Sequence, residues 1–172
     1  MAGLVHVFTG DGKGKTSAAL GIALRAAGHG LKTHITFFMK GEYPYGEQKT
    51  LALLPDISMA RFGSLEFVDP ANVKPEEKEQ ARLALENARV AVHSGHFDLV
   101  ILDEVNVAAA WKLIDVKDLI RFIKEKPENV ELILTGRYAD KDVIALADYV
   151  TEMREVKHPY KKGIPSRKGF DY

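Results

Sequence analysis

A glycine-rich segment near the N-terminus carries the residues best suited to binding phosphate. Thr9–Ser17 reads TGDGKGKTS and lies between an apolar run over 4–8 and a helix-forming run over 18–27. Glycines let several backbone N–H groups point inward at an anion, and the N-terminus of the following helix adds a partial positive charge. Lys15 can reach the outer phosphates of a nucleotide, while Thr16 or Ser17 can place a hydroxyl on Mg²⁺. The segment therefore predicts a nucleotide-binding loop.

The loop departs at one point from the phosphate-loop pattern G-x-x-x-x-G-K-[ST]. Thr9 stands where the first glycine is expected and Gly10 follows one residue late, whereas the Gly-Lys-Thr core at 14–16 fits. A glycine-rich turn without a ligand is the alternative, but the order of strand, loop, core and helix favours phosphate binding. We predict that the nucleotide contacts Gly10, Asp11, Gly12, Lys13, Gly14, Lys15, Thr16 and Ser17.

Two carboxylates follow a second apolar run. The run over 97–102 is typical of a buried strand, and it ends in Asp103 and Glu104. Next to a phosphate loop, an acid at the end of a strand can hold Mg²⁺ directly or through water. Many buried strands end in acids, so the pair indicates a metal site only in combination with the upstream phosphate loop. We predict Thr16 and Glu104 as ligands of Mg²⁺, with Mn²⁺ as the alternative ion and Asp103 as a second ligand or an outer-shell partner.

Strand and helix patterns alternate along the chain. Apolar or β-branched runs predict strands over 4–8, 32–39, 57–62, 97–104, 130–134 and 149–153, and helical periodicity predicts helices over 18–27, 75–94, 115–123 and 140–147. This alternation predicts an α/β fold of the single-domain P-loop (RecA-like) kind, with a mainly parallel sheet and helices on both faces. We assign 1–156 to the nucleotide-binding domain. The basic tail, 157–172, is either solvated or packs near the active site as a flap over a polyphosphate.

Composition excludes several classes of protein. The 172 residues hold 24 basic and 24 acidic side chains and no cysteine. Zero formal charge gives no general attraction to nucleic acid or to an anionic membrane. The absence of cysteine rules out disulfides, zinc-thiolate sites and cysteine nucleophiles. No apolar run approaches the ~20 residues of a membrane span, and no signal-type run is present. We expect a cytoplasmic protein that binds neither nucleic acid nor membrane.

The chain resembles the corrinoid adenosyltransferases of the CobA/CobO/BtuR type from about residue 5 to residue 172. Their own loop, G-[ND]-G-K-G-K-T-T, is similar to the loop here, displaced glycine included. Further matching segments are 25–30, Met39-Lys-Gly41, Leu102-Asp-Glu104, Thr135-Gly-Arg137, 147–159 and Gly169-Phe-Asp-Tyr172. The resemblance implies transfer of the 5′-deoxyadenosyl group from ATP, the co-substrate, to the cobalt of a reduced corrinoid, with release of triphosphate.

The resemblance also implies roles for individual residues. Lys15 and Glu104 would be catalytic, with Lys13 adding charge at the triphosphate. Arg137 would meet phosphate, although an ion pair with Asp140 or Asp142 is the alternative. Phe67 would face the corrinoid, in a stretch where better-known members have Gly-Phe-Thr-Trp.

The family further implies a homodimer and a reductase that delivers cob(I)alamin. Members often carry an N-terminal extension over the ATP, so we expect another segment, a second subunit or solvent to complete this site. The competing hypotheses are a phosphate-loop NTPase or small-molecule kinase using Asp103 or Glu104, and a nucleotide-sensing module without catalysis. His6, His34 and Trp111 are assigned no role beyond packing.

Overall fold

One parallel sheet runs through the computed structural model, which describes residues 2–41, 43–64 and 66–172. Glu42 and Leu65, the latter in the stretch around Phe67, lie outside these residues. The strands are β1 Val5–Thr9, β2 Thr33–Phe37, β3 Ile57–Arg61, β4 Leu99–Asp103, β5 Glu131–Thr135 and β6 Tyr149–Glu152. Their order is β3-β2-β4-β5-β1-β6, and each neighbouring pair is parallel. The α/β prediction is confirmed.

The helices are α1 Lys15–Ala27, α2 Gly46–Leu51, α3 Pro75–His93, α4 Val105–Ala110, α5 Val116–Glu125 and α6 Lys141–Leu146, followed by a short 3-10 helix, Pro159–Lys162. The pattern-based prediction began the first helix at residue 18, three residues late, because Lys15, Thr16 and Ser17 are polar and show no apolar periodicity. It also missed α2 and α4. Both have six residues and, unlike the equally short α6 with Asp140, they begin without a capping side chain that would mark their start.

Helices cover both faces of the sheet, as expected. On one face Ala19, Leu20 and Ala23 of α1 pack against residues of the sheet such as Ile35 and Ile133. On the other face α3, α4, α5 and α6 enclose a larger apolar cluster. Every residue of β2 and β4 is buried because these central strands are covered on both sides. The four residues of the edge strand β6 are exposed.

Parallel strands place their carboxyl ends at one edge of the sheet, where ligands of open α/β sheets bind. The loop after β1 and the acids after β4 therefore share that edge. β5 lies between these two strands, so Thr135 at its end separates the loop from Asp103. In the described part of the chain, no helix is both long and apolar enough to cross a membrane.

Candidate active site

The loop after β1 ends in the first turn of α1. Gly14 caps this helix in the left-handed region, with φ of 116°, which favours glycine. The first turn contains no acidic residue. Free N–H groups and the helix dipole therefore meet no negative side chain from their own turn, and the helix N-terminus is suited to an external anion.

Two glycines of the loop allow it to pack closely on the segment after β6. A Cβ atom on Gly10 or Gly12 would stand 2.5 or 2.7 Å from the carbonyl oxygen of Met153. The N–H of Gly12 donates to that oxygen over 2.6 Å. Thr9, at the position of the missing glycine, accepts a hydrogen bond from the N–H of Ala139 on its hydroxyl, 3.2 Å away. The loop thus has threonine at position 9, where its hydroxyl binds Ala139, and glycine at position 10, where the chain packs against Met153.

Lys15 is folded back over its own loop. Its buried ammonium donates to the carbonyl oxygens of Gly10 and Gly12, each over 2.7 Å. Burial lowers the pKa of Lys15, and Arg137 lowers it further, while the charge of Glu104 opposes the shift. A phosphate oxygen that replaced either carbonyl would form a stronger, charge-assisted hydrogen bond.

The two acids after β4 have different surroundings. Both oxygens of buried Asp103 are engaged: Thr135 donates its hydroxyl to Oδ1 over 2.7 Å, and Lys40 donates to Oδ2 over 2.6 Å. Glu104 adopts a left-handed backbone with φ of 65°, and its N–H donates to the Thr135 hydroxyl over 2.9 Å. Its side chain lines the cleft over the loop. Burial, then the neighbouring Asp103 carboxylate, raises the pKa of Glu104.

Lys40, which follows β2, is the principal site residue that the sequence reasoning missed. Its buried ammonium lies 2.6 Å from Asp103 Oδ2 and 3.3 Å from the hydroxyl oxygen of Thr16. Burial disfavours its charge, but the carboxylates of Asp103 and Glu104 outweigh burial and raise the pKa of Lys40. A lysine in the segment 39–41, at the carboxyl end of a predicted strand, was the signal that could have identified it.

The donor set suits a divalent ion carried by a nucleotide. Thr16 and Glu104 offer a hydroxyl and a carboxylate to the same cleft, whereas both oxygens of Asp103 are taken. Among the described residues, no group of three His, Cys, Asp or Glu side chains is placed to hold a metal ion by itself, so a bound ion would need oxygens from the nucleotide. Mg²⁺ is usually held by one or two protein oxygens together with phosphates and water, so the residues present fit it.

These groups face one cleft of about 810 Å³. The predicted site residues line it except Gly10 and Asp103, which lie behind its surface. Arg137 Nε is 4.0 Å from Asp11 Oδ1 of the loop. The alternative partner Asp140 instead caps α6 by accepting from the N–H of Asp142. Phe67 forms part of the wall and is 85% exposed.

Aromatic side chains and the C-terminal tail close part of the cleft. The ring of Tyr43 lies 4.8, 6.3 and 5.5 Å from the rings of Tyr45, Phe67 and Tyr172. Trp111, expected only in the core or at an interface, packs against the core and also lines the cleft. The tail contributes His158, Pro159, Tyr160, Ile164, Pro165, Ser166, Gly169, Phe170, Asp171 and Tyr172 to the lining.

Both histidines without an assigned role make structural contacts. The His6 ring stacks on Tyr149 with centroids 4.6 Å apart. The nitrogens of His34 hydrogen-bond with Ser58 and Asn87 over 2.7 and 2.9 Å. Neither histidine lines the cleft.

Comparison with known families identifies the chain. Residues 1–172 match the family model described as ATP:corrinoid adenosyltransferase BtuR/CobO/CobP. The chain belongs to this family. It is 34% identical to the corrinoid adenosyltransferase of Escherichia coli (strain K12) over 170 residues, covering 99% of this chain and 86% of that protein. Identity to the Sinorhizobium sp enzyme is 34%, over 99% of this chain and 80% of that protein. For CobA of Salmonella typhimurium the values are 32%, 99% and 86%.

The fold of this adenosyltransferase chain is also found in a larger ATPase. A solved structure of EssC (ATPases 2 and 3) from Geobacillus thermodenitrificans superimposes with a TM-score of 0.52 and 14% identity, over 98% of this chain and 35% of that one. This similarity supports the P-loop type of fold alone. The predicted family, the enzymatic class and ATP:corrinoid adenosyl transfer are confirmed by the family match and the relatives.

Proposed function

We propose that the chain joins the 5′-deoxyadenosyl group of ATP to the cobalt(I) of a reduced corrinoid and releases inorganic triphosphate. Cobalt attacks C5′, the C5′–O bond breaks, and its electron pair leaves with the triphosphate. The observation that carries this proposal is the shared cleft. Lys15, Glu104 and Arg137 line its polar part and Phe67 its aromatic wall, so that a nucleotide and a flat apolar partner can meet there.

The reaction requires neither a general base nor a nucleophile from the protein. Cobalt(I) is itself a strong nucleophile, so the site must orient C5′ and stabilise charge on the leaving group. The N–H groups at the N-terminus of α1, together with Lys15 and Lys13, suit that charge. We propose that ATP lies with C5′, and not the γ-phosphorus, toward the open part of the cleft. Lys15 and Glu104 then act as the catalytic pair.

The hydroxyl and carboxylate that the loop and Glu104 offer to the cleft suit a divalent ion. We propose that Thr16 and Glu104 hold Mg²⁺, or Mn²⁺ in its place, bound to the phosphates. The ion would supply Lewis acidity at the leaving group. Asp103, whose oxygens are engaged by Lys40 and Thr135, would support this set from the outer shell.

Phe67 is our choice for the corrinoid contact. An apolar face beside cobalt would keep a lower axial ligand away from the metal and leave the opposite face free to attack. The exposed ring of Phe67 supports this assignment because it lines the cleft, where Tyr43 packs against it with ring centroids 6.3 Å apart.

We also propose how the rest of the molecule contributes. Residues 1–156 would form the nucleotide-binding domain, and the tail, 157–172, would pack over the site, as the contact of Lys13 with Asp171 supports. The enzyme would act as a cytoplasmic homodimer in the biosynthesis or salvage of adenosylcobalamin. A reductase would deliver cob(I)alamin.

The test is an anaerobic assay with ATP, Mg²⁺ and chemically reduced cob(I)alamin. We expect a light-sensitive cobalt–carbon product in the absorption spectrum and one triphosphate for each corrinoid converted. Omitting the corrinoid should abolish ATP consumption. Release of ADP and phosphate without corrinoid would instead indicate a hydrolase. Nucleotide-dependent capture of a protein partner without any corrinoid product would indicate a sensing module.

A further inference from the structure

The backbone around Lys40 is held in an unusual conformation. Met39 has φ of 56°, a left-handed value that is unfavourable for a residue with a side chain. Gly41 and Gly63 interlock beside it: a Cβ on Gly41 would collide with the Gly63 carbonyl, and a Cβ on Gly63 would stand 2.8 Å from Met39 Cα. The N–H of Lys40 donates to Phe62 O over 3.0 Å. The turn is therefore rigidly built, and a strained turn of this kind often marks a functional position.

The ammonium of Lys40 uses two of its three donors on groups of the described chain. It donates to Asp103 Oδ2 over 2.6 Å and to Thr16 Oγ1 over 3.3 Å. The other oxygen of Asp103 is occupied by the Thr135 hydroxyl, so the carboxylate is fixed on both sides. The ring of Tyr45 lies 5.1 Å from the ammonium. Lys40 also lines the cleft, which leaves a donor for a ligand beside Thr16.

A contribution to stability does not by itself explain why Lys40 and Asp103 form a buried ion pair. Removing two charges from water is costly, and apolar side chains of similar size commonly replace a buried ion pair without loss of stability. Here the pair lies at the first turn of α1, beside the hydroxyl that follows Lys15, and it is positioned by a strained turn. These observations favour a role in binding.

We infer that Lys40 binds the triphosphate, donating its remaining N–H to a phosphate oxygen next to Thr16. Asp103 positions the ammonium for this contact. The inference rests on the proposed function and deepens it by adding a third lysine to Lys13 and Lys15. As the C5′–O bond breaks, negative charge grows on the triphosphate, and a fixed cation shielded from water stabilises that charge effectively.

The test measures binding of inorganic tripolyphosphate, without corrinoid or divalent metal, by isothermal titration calorimetry. Lys40→Met alone would leave Asp103 as an unpaired buried charge, so the informative protein is the double variant Lys40→Met/Asp103→Asn, which removes both charges. We expect it to bind tripolyphosphate about tenfold more weakly or worse, as for loss of a charge-assisted hydrogen bond. Asp103→Asn alone retains the ammonium and an amide oxygen that can accept its hydrogen bond, so it should bind tripolyphosphate more tightly than the double variant.

Normal binding by a folded double variant would overturn the inference, because Lys40 would then serve only to neutralise Asp103. Lys15→Ala is the reference for the proposed function. If Lys15→Ala also bound tripolyphosphate normally, the triphosphate would not bind at this loop, and the proposed function would fail together with the inference. Should the double variant not fold, nitrogen NMR of the lysine ammonium groups in the unmodified protein decides. The Lys40 resonance should shift on addition of tripolyphosphate, and an unchanged resonance would overturn the inference.

Discussion

Asp171 accepts a hydrogen bond from the ammonium of Lys13 and thereby joins the C-terminal tail to the phosphate loop. The same ammonium donates to the carbonyl oxygen of Phe170 over 2.7 Å. The other oxygen of Asp171 accepts from the backbone N–H and Nε of Arg167 over 2.9 and 3.1 Å. Lys13, then Arg167, holds the pKa of Asp171 well below its usual range. At neutral pH a carboxylate therefore lies where Lys13 would meet a phosphate.

Asp171→Asn should tighten binding of inorganic tripolyphosphate. The substitution removes an internal anion that competes for Lys13, and the pair is exposed, so we expect a gain of roughly two- to fivefold. Titration calorimetry measures the affinity, with Asp118→Asn on α5 as the matched control at a distant surface. Weaker binding by Asp171→Asn would contradict competition and indicate that the tail holds the ligand in place.

Lys15→Ala should remove most adenosyl transfer. Loss of one charge-assisted contact to a leaving triphosphate lowers the rate by about 10²-fold or more. The rate of cobalt–carbon bond formation in the anaerobic assay is the measurement. Lys78→Ala, at an exposed position of α3, controls for loss of a surface charge. Near-normal turnover of the Lys15 variant would exclude the role proposed for this lysine.

Glu104→Gln should weaken the dependence on Mg²⁺ far more than it changes the free energy of unfolding. The variant keeps the size of the side chain and its left-handed backbone but loses the carboxylate that we propose as a metal ligand. Activity as a function of Mg²⁺ concentration tests this. If activity depended on Mg²⁺ concentration as in the unmodified protein, a residue other than Glu104 would hold the ion.

The same variant has a pH signature because the pKa of Glu104 is raised above 4.5. Between that value and its folded pKa, Glu104 keeps a proton in the folded protein that the unfolded chain releases. Raising the pH through this interval therefore lowers the free energy of unfolding. Glu104→Gln should remove that slope in denaturation curves measured without metal. Metal affinity should change in the opposite sense, rising with pH as the carboxylate ionises.

Phe67→Ala should impair reaction with the corrinoid while sparing ATP affinity. The ring is 85% exposed, so its removal should change the free energy of unfolding by less than about 0.5 kcal/mol. Leu53→Ala, at a side chain that is 81% exposed and does not line the cleft, is the matched control. Steady-state kinetics with corrinoid and with ATP as the varied substrate measure the two effects. Equal losses for both substrates would argue against the proposed aromatic face.

Gly41→Ala should destabilise the protein by about 2 kcal/mol or more, since its methyl group would overlap the Gly63 carbonyl. The forced shift should also displace Lys40 and weaken tripolyphosphate binding. Gly21→Ala is the control: it lies in α1, where no described atom outside the adjoining helix backbone is within 4 Å of the new methyl group, and it should stabilise the protein by up to about 1 kcal/mol. Chemical denaturation compares the two variants. If Gly41→Ala were as stable as Gly21→Ala, the turn at 39–41 would be able to accommodate a Cβ atom.

The local pattern of the sequence predicted much of this fold. Apolar runs and turn residues located the six strands, and helical periodicity located α3 and α5, because those signals arise within each segment. It failed for the short helices α2 and α4, which lack the capping side chain that marks the start of α6. The position of the glycine-rich loop between β1 and α1 was predictable because its residues are neighbours in the chain, and its contact with phosphate stays a prediction.

Sequence alone therefore determined the class of the fold, the position of the glycine-rich loop and, through resemblance, the family. Tertiary structure decided which distant side chains meet. The pairing of Lys40 with Asp103, of Arg137 with Asp11 and of Lys13 with Asp171 follows from strand order and from the path of the tail. Periodicity reports which face of an element is buried, but it carries no information about which strand lies beside it. For that physical reason the ion pairs of the cleft could be found only from the folded chain.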